Sequence, residues 1–268
     1  MLIFCRDQSN HLNDHPRPEG VDIHHRYVWI MSVKGDGRVC LDTEIHHLIP
    51  GNSILIRPFQ THFYMDVRPR SICWVFVTFE HEPNIKLEKI HAQGAQQVSI
   101  SIVPYVLDLL TSWSKSKDRG ACPPLLSLIF EKSFLQASPK PIVKNKQEAA
   151  DDHFVSKINQ YGIENRHRPV AIPELAEILG MSSSSLRTRF QSLTGLTIGR
   201  HLRDLKLSYA CELLYEEKLQ ISEIAERCGY DSPFVFSRAF RNHFHCTPSD
   251  YRTRSEQPLP IPSNPENS

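Results

Sequence analysis

Short runs of alternating apolar and polar residues, separated by turn residues, occupy the chain from about residue 26 to residue 79. Such alternation predicts β-strands that bury one face. The predicted strands are 26–33, 38–42, 44–48, 53–57, 62–67 and 71–79. Short strands at this spacing are typical of a small barrel or sandwich. The polar residues 1–18 are predicted to form a mobile arm or a first edge strand.

The pattern changes after residue 101, where apolar residues recur every three or four positions. This period predicts amphipathic helices at 102–114 and 123–136. These two helices form either a dimer interface or a layer that packs on the strands. The next segment, 138–152, is polar and contains prolines, so it is predicted to be a linker; beyond it the sequence is helical to about Arg252.

The length of 268 residues is sufficient for two domains with a core each. The expected division is a β domain with two helices (1–137), the linker (138–152), an all-α domain (153–255) and a disordered tail with four prolines (256–268). The formal net charge is only +1, so the totals alone do not point to a nucleic-acid partner.

The seven cysteines are scattered, odd in number and without a Cys-x-x-Cys pair. This usage favours reduced thiols in the cytoplasm, where most of them serve as small core residues. The first residues do not have the pattern of a signal peptide, and no run reaches the ~18 apolar residues of a membrane span. A cytoplasmic protein without a membrane partner is therefore expected.

A weak internal repeat marks the region after the linker. Leu175-Ala176-Glu177 is followed by Gly180, and the same order recurs 49 residues later as Ile224-Ala225-Glu226 and Gly229. In a helix-turn-helix unit, the small alanine allows the second helix to cross the first, and the turn requires a residue at positive φ, which glycine adopts easily. The polar residues Ser182 and Ser232 then cap the second helices. The repeat predicts two such units.

The second helix of each unit is the one that enters the major groove of DNA. These helices are predicted at about 183–193 and 233–243, with Ser182–Lys206 carrying five cationic residues against one acidic residue. In the second helix, either Val235 or Phe236 is expected to face inward. The candidate DNA-binding residues are Ser184, Arg187, Thr188, Arg189, Phe234, Arg238, Arg241 and Asn242.

A third helix, predicted at about 198–215, has leucines at helical spacing and connects the two units. As a rigid spacer, it would allow the two second helices to enter successive segments of the major groove, roughly 34 Å apart on one face of the DNA.

Together these features resemble the AraC family of transcription regulators. The most specific part lies between Ile221 and Arg252, and it ends in Thr247-Pro248-Ser249-Asp250-Tyr251-Arg252. The resemblance implies a regulator rather than an enzyme, with no cofactor, that acts as an activator on double-stranded promoter or operator DNA. It also implies a homodimer and contact with RNA polymerase.

The chain departs from the family pattern at several positions. His245 stands where glycine is usual, although histidine tolerates the left-handed conformation better than most residues. Lys206 stands where arginine is usual. Pro233 and Phe234 occupy positions that often carry polar base readers, so the second helix is expected to contact phosphates or, through Phe234, thymine methyl groups.

The N-terminal half more weakly resembles the cupin-like sensor barrel common in this family. The resemblance implies that the barrel binds a small effector, such as a sugar. The candidate effector-binding residues are His24, Arg38, His62, Tyr64 and Trp74. A β domain that only dimerises is the alternative.

A metal site or an enzyme is the less favoured interpretation of this half. Histidines 24, 25, 46, 47 and 62 fall in one domain, but an ordered His-x-His with a downstream glutamate is absent. Adjacent histidines on a strand point to opposite faces, so only one of each pair can face a cavity. No metal ligand set is therefore predicted.

Overall fold

The structure is a computed structural model that describes residues 2–6, 26–65, 72–80, 94–134, 145–169, 171–216 and 218–255. Its strands are β1 (Leu2–Arg6), β2 (Tyr27–Lys34), β3 (Gly37–Leu41), β4 (Glu44–Leu48), β5 (Asn52–Ile56), β6 (His62–Met65), β7 (Cys73–Phe79) and β8 (Gln96–Gln97). Its helices are α1 (Val103–Ser114), α2 (Cys122–Phe134), α3 (Lys146–Glu164), α4 (Ile172–Ile178), α5 (Ser183–Thr194), α6 (Ile198–Glu216), α7 (Ile221–Arg227), α8 (Pro233–Phe244) and α9 (Pro248–Ser255). The predicted mixed α+β class is confirmed; His24 and the tail 256–268 lie outside the described residues.

The strands form two antiparallel sheets. The large sheet has the order β1-β7-β2-β5-β8, and the small sheet has the order β4-β3-β6. Among the described strands, hydrogen bonds join neighbours within each sheet and do not close the two into one ring. Of the two alternatives for the N-terminal segment, Leu2–Arg6 adopts the second, because it pairs with β7 as an edge strand.

Each face of the sheets packs against a different layer. Strand alternation places Val39 and Leu41 of β3 between the two sheets, while Cys40 of the same strand faces the helical domain. The outer face of the large sheet packs against α1 and α2 through residues such as Trp29 and Phe130. The small sheet is consequently buried on both sides and connects the β domain to the helices.

Helix α3 begins at Lys146, inside the segment predicted as a linker over 138–152. A capping box explains the early start: the Asn145 side chain accepts from the Glu148 amide at 2.8 Å, and the Glu148 carboxylate accepts from the Asn145 amide at 3.1 Å. Residues 146–152 therefore form the first turns of α3 instead of a linker; Lys146 and Gln147 are exposed, whereas Asp152 is buried against the small sheet. The rest of the predicted linker, 138–144, lies outside the described residues.

The helical domain contains two helix-turn-helix units joined by α6. Helices α4 and α5 pack on α3 and the N-terminal part of α6 through residues such as Leu186 and Leu202. Helices α7, α8 and α9 pack on the C-terminal part of α6 through residues such as Phe240 and Leu214. The predicted repeat and spacer thus correspond to the observed helices.

The turn in each unit contains a glycine in the left-handed region, Gly180 at φ +64° and Gly229 at φ +62°. Their surroundings differ. A Cβ on Gly180 would meet nothing within 4 Å, whereas a Cβ on Gly229 would lie 2.5 Å from the His167 carbonyl oxygen and 2.6 Å from the Arg168 Cα. Position 229 therefore requires glycine both for its positive φ and for the close approach of the neighbouring backbone. Position 180 requires glycine for its positive φ alone.

This difference predicts unequal costs for the same substitution. Gly180→Ala should lower the free energy of unfolding by about 1–2 kcal/mol, the cost of the left-handed conformation. Gly229→Ala should cost about 1–3 kcal/mol more, because backbone atoms would have to move. Urea unfolding of both variants measures the difference, and equal losses would contradict the close approach of the 167–168 backbone.

Candidate DNA-binding surface

Helix α5 presents a polar face to solvent. It begins at a serine cap, where the Ser182 hydroxyl accepts from the Ser185 amide at 3.1 Å. Leu186 and Phe190 are fully buried on its inner side. The predicted base-reading residues Ser184, Arg187 and Thr188 are all exposed on the other side. The structure therefore brings these three candidates together on one face.

Arg189 is arranged differently from its neighbours on α5. Its guanidinium donates to Asp151 of α3 at 2.9 Å and lies 4.2 Å from the centre of the Phe154 ring. It is half-buried between the two helices. The contact depends on where α3 lies, which the local sequence of α5 does not reveal.

Helix α8 follows the same plan in the second unit. The Ser232 hydroxyl accepts from the Val235 amide at 3.3 Å, and Pro233 occupies the first turn, where no amide hydrogen is needed. Phe236 is buried and Val235 is exposed, which settles the alternative left open by the sequence. The exposed face carries the predicted DNA-binding residues Phe234, Arg238, Arg241 and Asn242.

His245 ends α8 in the left-handed conformation, at φ +58°. Gly195 occupies the same place after α5, at φ +74°. The expectation that histidine would be tolerated there is confirmed. Since α5 and α8 both have 12 residues between a serine cap and a left-handed end, their positions correspond one to one. Ser184 corresponds to Phe234, and Thr188 corresponds to Arg238.

The signature segment Thr247–Arg252 closes the second unit. The Thr247 hydroxyl accepts from the Asp250 amide at 3.1 Å, and the Asp250 carboxylate accepts from the Thr247 amide at 3.2 Å, so the two residues cap α9 reciprocally. Tyr251 is buried against Phe240, with ring centroids 5.4 Å apart. Arg252 donates to the carbonyl oxygens of Leu214, at the end of α6, and Leu219. The motif thus holds α9 against both α8 and α6.

Lys206 links α6 to the turn of the second unit. It is buried, its ammonium group donates to the Gly229 carbonyl oxygen at 3.5 Å, and it lies 5.5 Å from the centre of the Tyr230 ring. Burial lowers its pKa, an effect partly offset by Cys228 and Asp231. The residue that departs from the family pattern therefore acts inside the domain rather than on its outer face.

A buried polar junction joins the first unit to the small sheet. The Asn159 amide nitrogen donates to the Asp42 carbonyl oxygen at 2.6 Å and to the Cys40 sulfur at 2.9 Å. Its amide oxygen lies 2.6 Å from His201 Nε2, which must therefore carry a proton and donate. Nearby, the Ser156 hydroxyl donates to the Thr43 carbonyl oxygen. The turn between β3 and β4 is thus anchored on α3.

Burial shapes the chemistry of this junction. It raises the pKa of the Cys40 thiol well above its usual value, so this cysteine stays protonated and unreactive. Burial also lowers the pKa of His201 to about 4, with a smaller opposing effect from Asp204. His201 is consequently neutral at physiological pH. Asn159 and His201 belong to no sequence motif, so the pattern of the chain did not predict that they form part of the site.

The candidate effector residues do not all face one space. Tyr64 and Trp74 lie between the two sheets with ring centroids 6.0 Å apart, and His62 lies 6.1 Å from Tyr64. Arg38 is on the opposite face of β3, where it donates to Asp152 of α3 at 2.6 Å. His47 lies 3.6 Å from the other oxygen of the same carboxylate. The structure therefore separates Arg38 from Tyr64 and Trp74.

The described residues contain no group of three or more histidine, cysteine, aspartate or glutamate side chains placed to hold a metal ion. The helices within the described part of the chain lack the length and apolar character needed for a membrane crossing.

The fold and this surface define a protein with a double helix-turn-helix domain. Residues 175–254 match the family model described as a helix-turn-helix domain. The HTH-type transcriptional activator RhaR of Enterobacter sp. (strain 638) is 31% identical over 126 residues, which are 47% of this chain and 43% of that protein. The chain thus spans less than half of that relative. The Msm operon regulatory protein of Streptococcus mutans serotype c is 25% identical over 250 residues, covering 87% of this chain and 86% of that protein.

Among solved structures, a transcriptional regulator with an AraC-type DNA-binding domain from Chromobacterium violaceum matches at 27% identity. The match has a TM-score of 0.39 and covers 41% of this chain and 99% of the other. The C-terminal part of the chain is thus similar to the helix-turn-helix domains of AraC-type transcription regulators, as the sequence motifs predicted. Its relatives are regulators and not enzymes.

Because His201 is neutral in the folded protein, we predict that the free energy of unfolding decreases at acid pH. Unfolded histidine has a pKa near 6.5, whereas folded His201 has one of about 4, so between these values the unfolded state binds more protons. Stability should therefore fall as the pH drops from about 6.5 to about 4, by about 3 kcal/mol from this group, and not further below pH 4.

Urea unfolding of the wild type and of His201→Gln between pH 7 and pH 4 measures this contribution. Glutamine keeps a donor for Asn159 and does not titrate, so the variant should show a shallower slope whatever its absolute stability. Parallel slopes would contradict a buried, neutral His201.

Proposed function

We propose that the chain regulates transcription by binding duplex DNA sequence-specifically, with α5 and α8 in the major groove. The observation that carries this proposal is the matched geometry of the two helices. Each is capped by serine, buries aromatic or leucine side chains on one side and exposes a cationic or polar face on the other. Since α6 contributes to the cores of both units, their separation is fixed.

The exposed residues have different roles in this proposal. Ser184, Arg187 and Thr188 read bases, because they lie on the N-terminal half of α5, which faces the base edges in this class of domain. Arg238, Arg241 and Asn242 contact the backbone and neighbouring bases from α8. The Arg189 guanidinium is paired with Asp151 and lies over the Phe154 ring, so its role is to hold α5 against α3.

The proposal is tested by selecting bound sequences from random duplex DNA and then titrating the variants against salt. Arg187→Ala should lose about 1–3 kcal/mol on the selected site and little on random DNA, because it removes a base contact. Arg241→Ala should weaken both kinds of DNA alike and reduce the slope of log affinity against log salt by about 1. Arg189→Ala should chiefly lower stability.

The absence of any enriched sequence would refute sequence-specific binding. Equal losses on selected and random DNA for Arg187→Ala would refute its role as a base reader while leaving DNA binding intact.

The β domain is proposed to bind a small effector of the sugar class between its sheets. His62, Tyr64 and Trp74 supply aromatic rings and polar tips close to one another, a combination suited to sugar faces and hydroxyls. Binding there would change the contacts of the small sheet with α3, and so the fraction of molecules able to bind DNA.

A β domain that only dimerises is the second candidate. The space between the sheets is filled by buried apolar side chains, including Ile30, Ile54 and Phe76, which favours this alternative. A sugar that raises the Tm of the wild type but not of Trp74→Ala would support the sensor; the absence of any stabilising ligand would support the dimerising domain.

A second copy of the chain is proposed to pack on α1. The inner side of α1 packs against the large sheet through Val106 and Leu109. Its outer side, with the preceding turn, exposes Ile100, Val103 and Leu107. These positions follow the i, i+3, i+7 spacing of a helix-pairing stripe. The two predicted alternatives, packing and dimerisation, therefore apply to opposite faces.

Leu107→Glu should weaken the dimer at least tenfold, because a carboxylate in an apolar interface loses its hydration without a partner. Asp108→Lys is the matched control, since it changes the charge on α1 beside the stripe. Sedimentation velocity of the full chain measures both. Unchanged dimerisation of Leu107→Glu would place the interface elsewhere.

Such a regulator acts on chromosomal DNA with RNA polymerase, which places it in the cytoplasm. Free thiols fit the reducing conditions there, and the structure has them at Cys40, Cys73, Cys122, Cys211, Cys228 and Cys246.

A further inference from the structure

Helix α8 exposes an apolar patch at its first turn. Phe234 is 87% exposed and Val235 is 47% exposed, whereas Phe236, Phe240 and Phe244 of the same helix are buried in the core of the second unit. The core is thus completed without Phe234 and Val235. An isolated exposed apolar side chain needs no explanation, so the significance of this patch depends on what surrounds it.

The patch shares its helix face with cations. Phe234, Arg238 and Arg241 follow one another at i, i+4 and i+7, which places them on the same side of α8. All three are exposed, and α8 contains no acidic residue. A partner of this face therefore has to combine negative charge with an apolar group at the position of the first turn.

The equivalent helix of the first unit has the opposite chemistry at these positions. Ser184 and Ser185 occupy the places of Phe234 and Val235, and all four side chains are exposed. The backbone arrangement is the same in both helices, so the difference does not arise from folding requirements. The two units differ in what they can recognise rather than in how they are built.

DNA supplies the required combination. Its phosphates are anionic, and thymine is the base that presents a methyl group at C5 in the major groove. The first residues of the second helix are those that reach base edges. We propose that Phe234, supported by Val235, reads thymine methyl groups in the half of the site bound by α8. This proposal rests on the proposed function.

The test replaces single thymines of the selected site by deoxyuridine, which removes the methyl group and leaves the hydrogen-bonding edge unchanged. Wild-type protein should lose about fourfold in affinity for each methyl that Phe234 contacts, corresponding to about 0.8 kcal/mol for a buried methyl-sized group. The loss should occur at one or two thymines in the block bound by α8.

Phe234→Ala should bind the thymine site at least fourfold more weakly than the wild type and should no longer distinguish thymine from uracil there. Because Phe234 lies outside the core, this variant should unfold at the same urea concentration as the wild type. Val33→Ala, which removes another exposed apolar side chain (52%) at the end of β2, is the matched control and should keep the discrimination.

The outcomes separate this inference from the proposed function. Failure to select any sequence overturns both. A selected, salt-dependent site without thymine in the second block, or with the same response to uracil in the wild type and in Phe234→Ala, overturns the inference alone. The latter result would assign the patch to a protein partner instead.

Discussion

The hydrogen bonds of the buried Asn159 side chain determine how the β domain and the helical domain pack together. Its amide joins the β3–β4 turn to α6 by donating to Asp42 and accepting from His201. Asn159 and His201 are both buried, so a missing partner would leave a buried polar atom unsatisfied at a cost of roughly 1–3 kcal/mol. The orientation of the small sheet on α3 and α6 satisfies both groups. The first helix-turn-helix unit is therefore fixed to the β domain.

Helix α3 connects this junction to the DNA-binding face. Its neighbouring carboxylates point in different directions: Asp152 accepts from Arg38 of the small sheet, and Asp151 accepts from Arg189 of α5. A movement of the small sheet would therefore be transmitted to α5 through the adjacent residues Asp151 and Asp152. The second unit is tied to the β domain by another contact, between Phe59 and Tyr215, whose ring centroids are 5.1 Å apart. These contacts give the proposed effector response a physical route.

Local patterns in the sequence were sufficient for the elements and for much of the candidate surface. Alternation located the strands, the repeated alanine and glycine located both turns, and helical spacing separated Arg187 from Leu186. What could not be predicted depends on distant packing. Arg189 and Arg38 look like exposed or cavity-lining cations in the sequence, yet both pair with carboxylates of α3. Asn159 and His201 are 42 residues apart and meet only when α3 packs on α6.

The fixed separation of α5 and α8 along α6 is tested most directly by changing the spacing of the DNA site. The protein should bind two short blocks about one helical turn apart. Inserting five or ten base pairs between the blocks should reduce the affinity at least tenfold, to that of a site with one block scrambled, because α6 cannot lengthen. Affinity that is unchanged by both insertions would contradict a rigid pair of units reading DNA together.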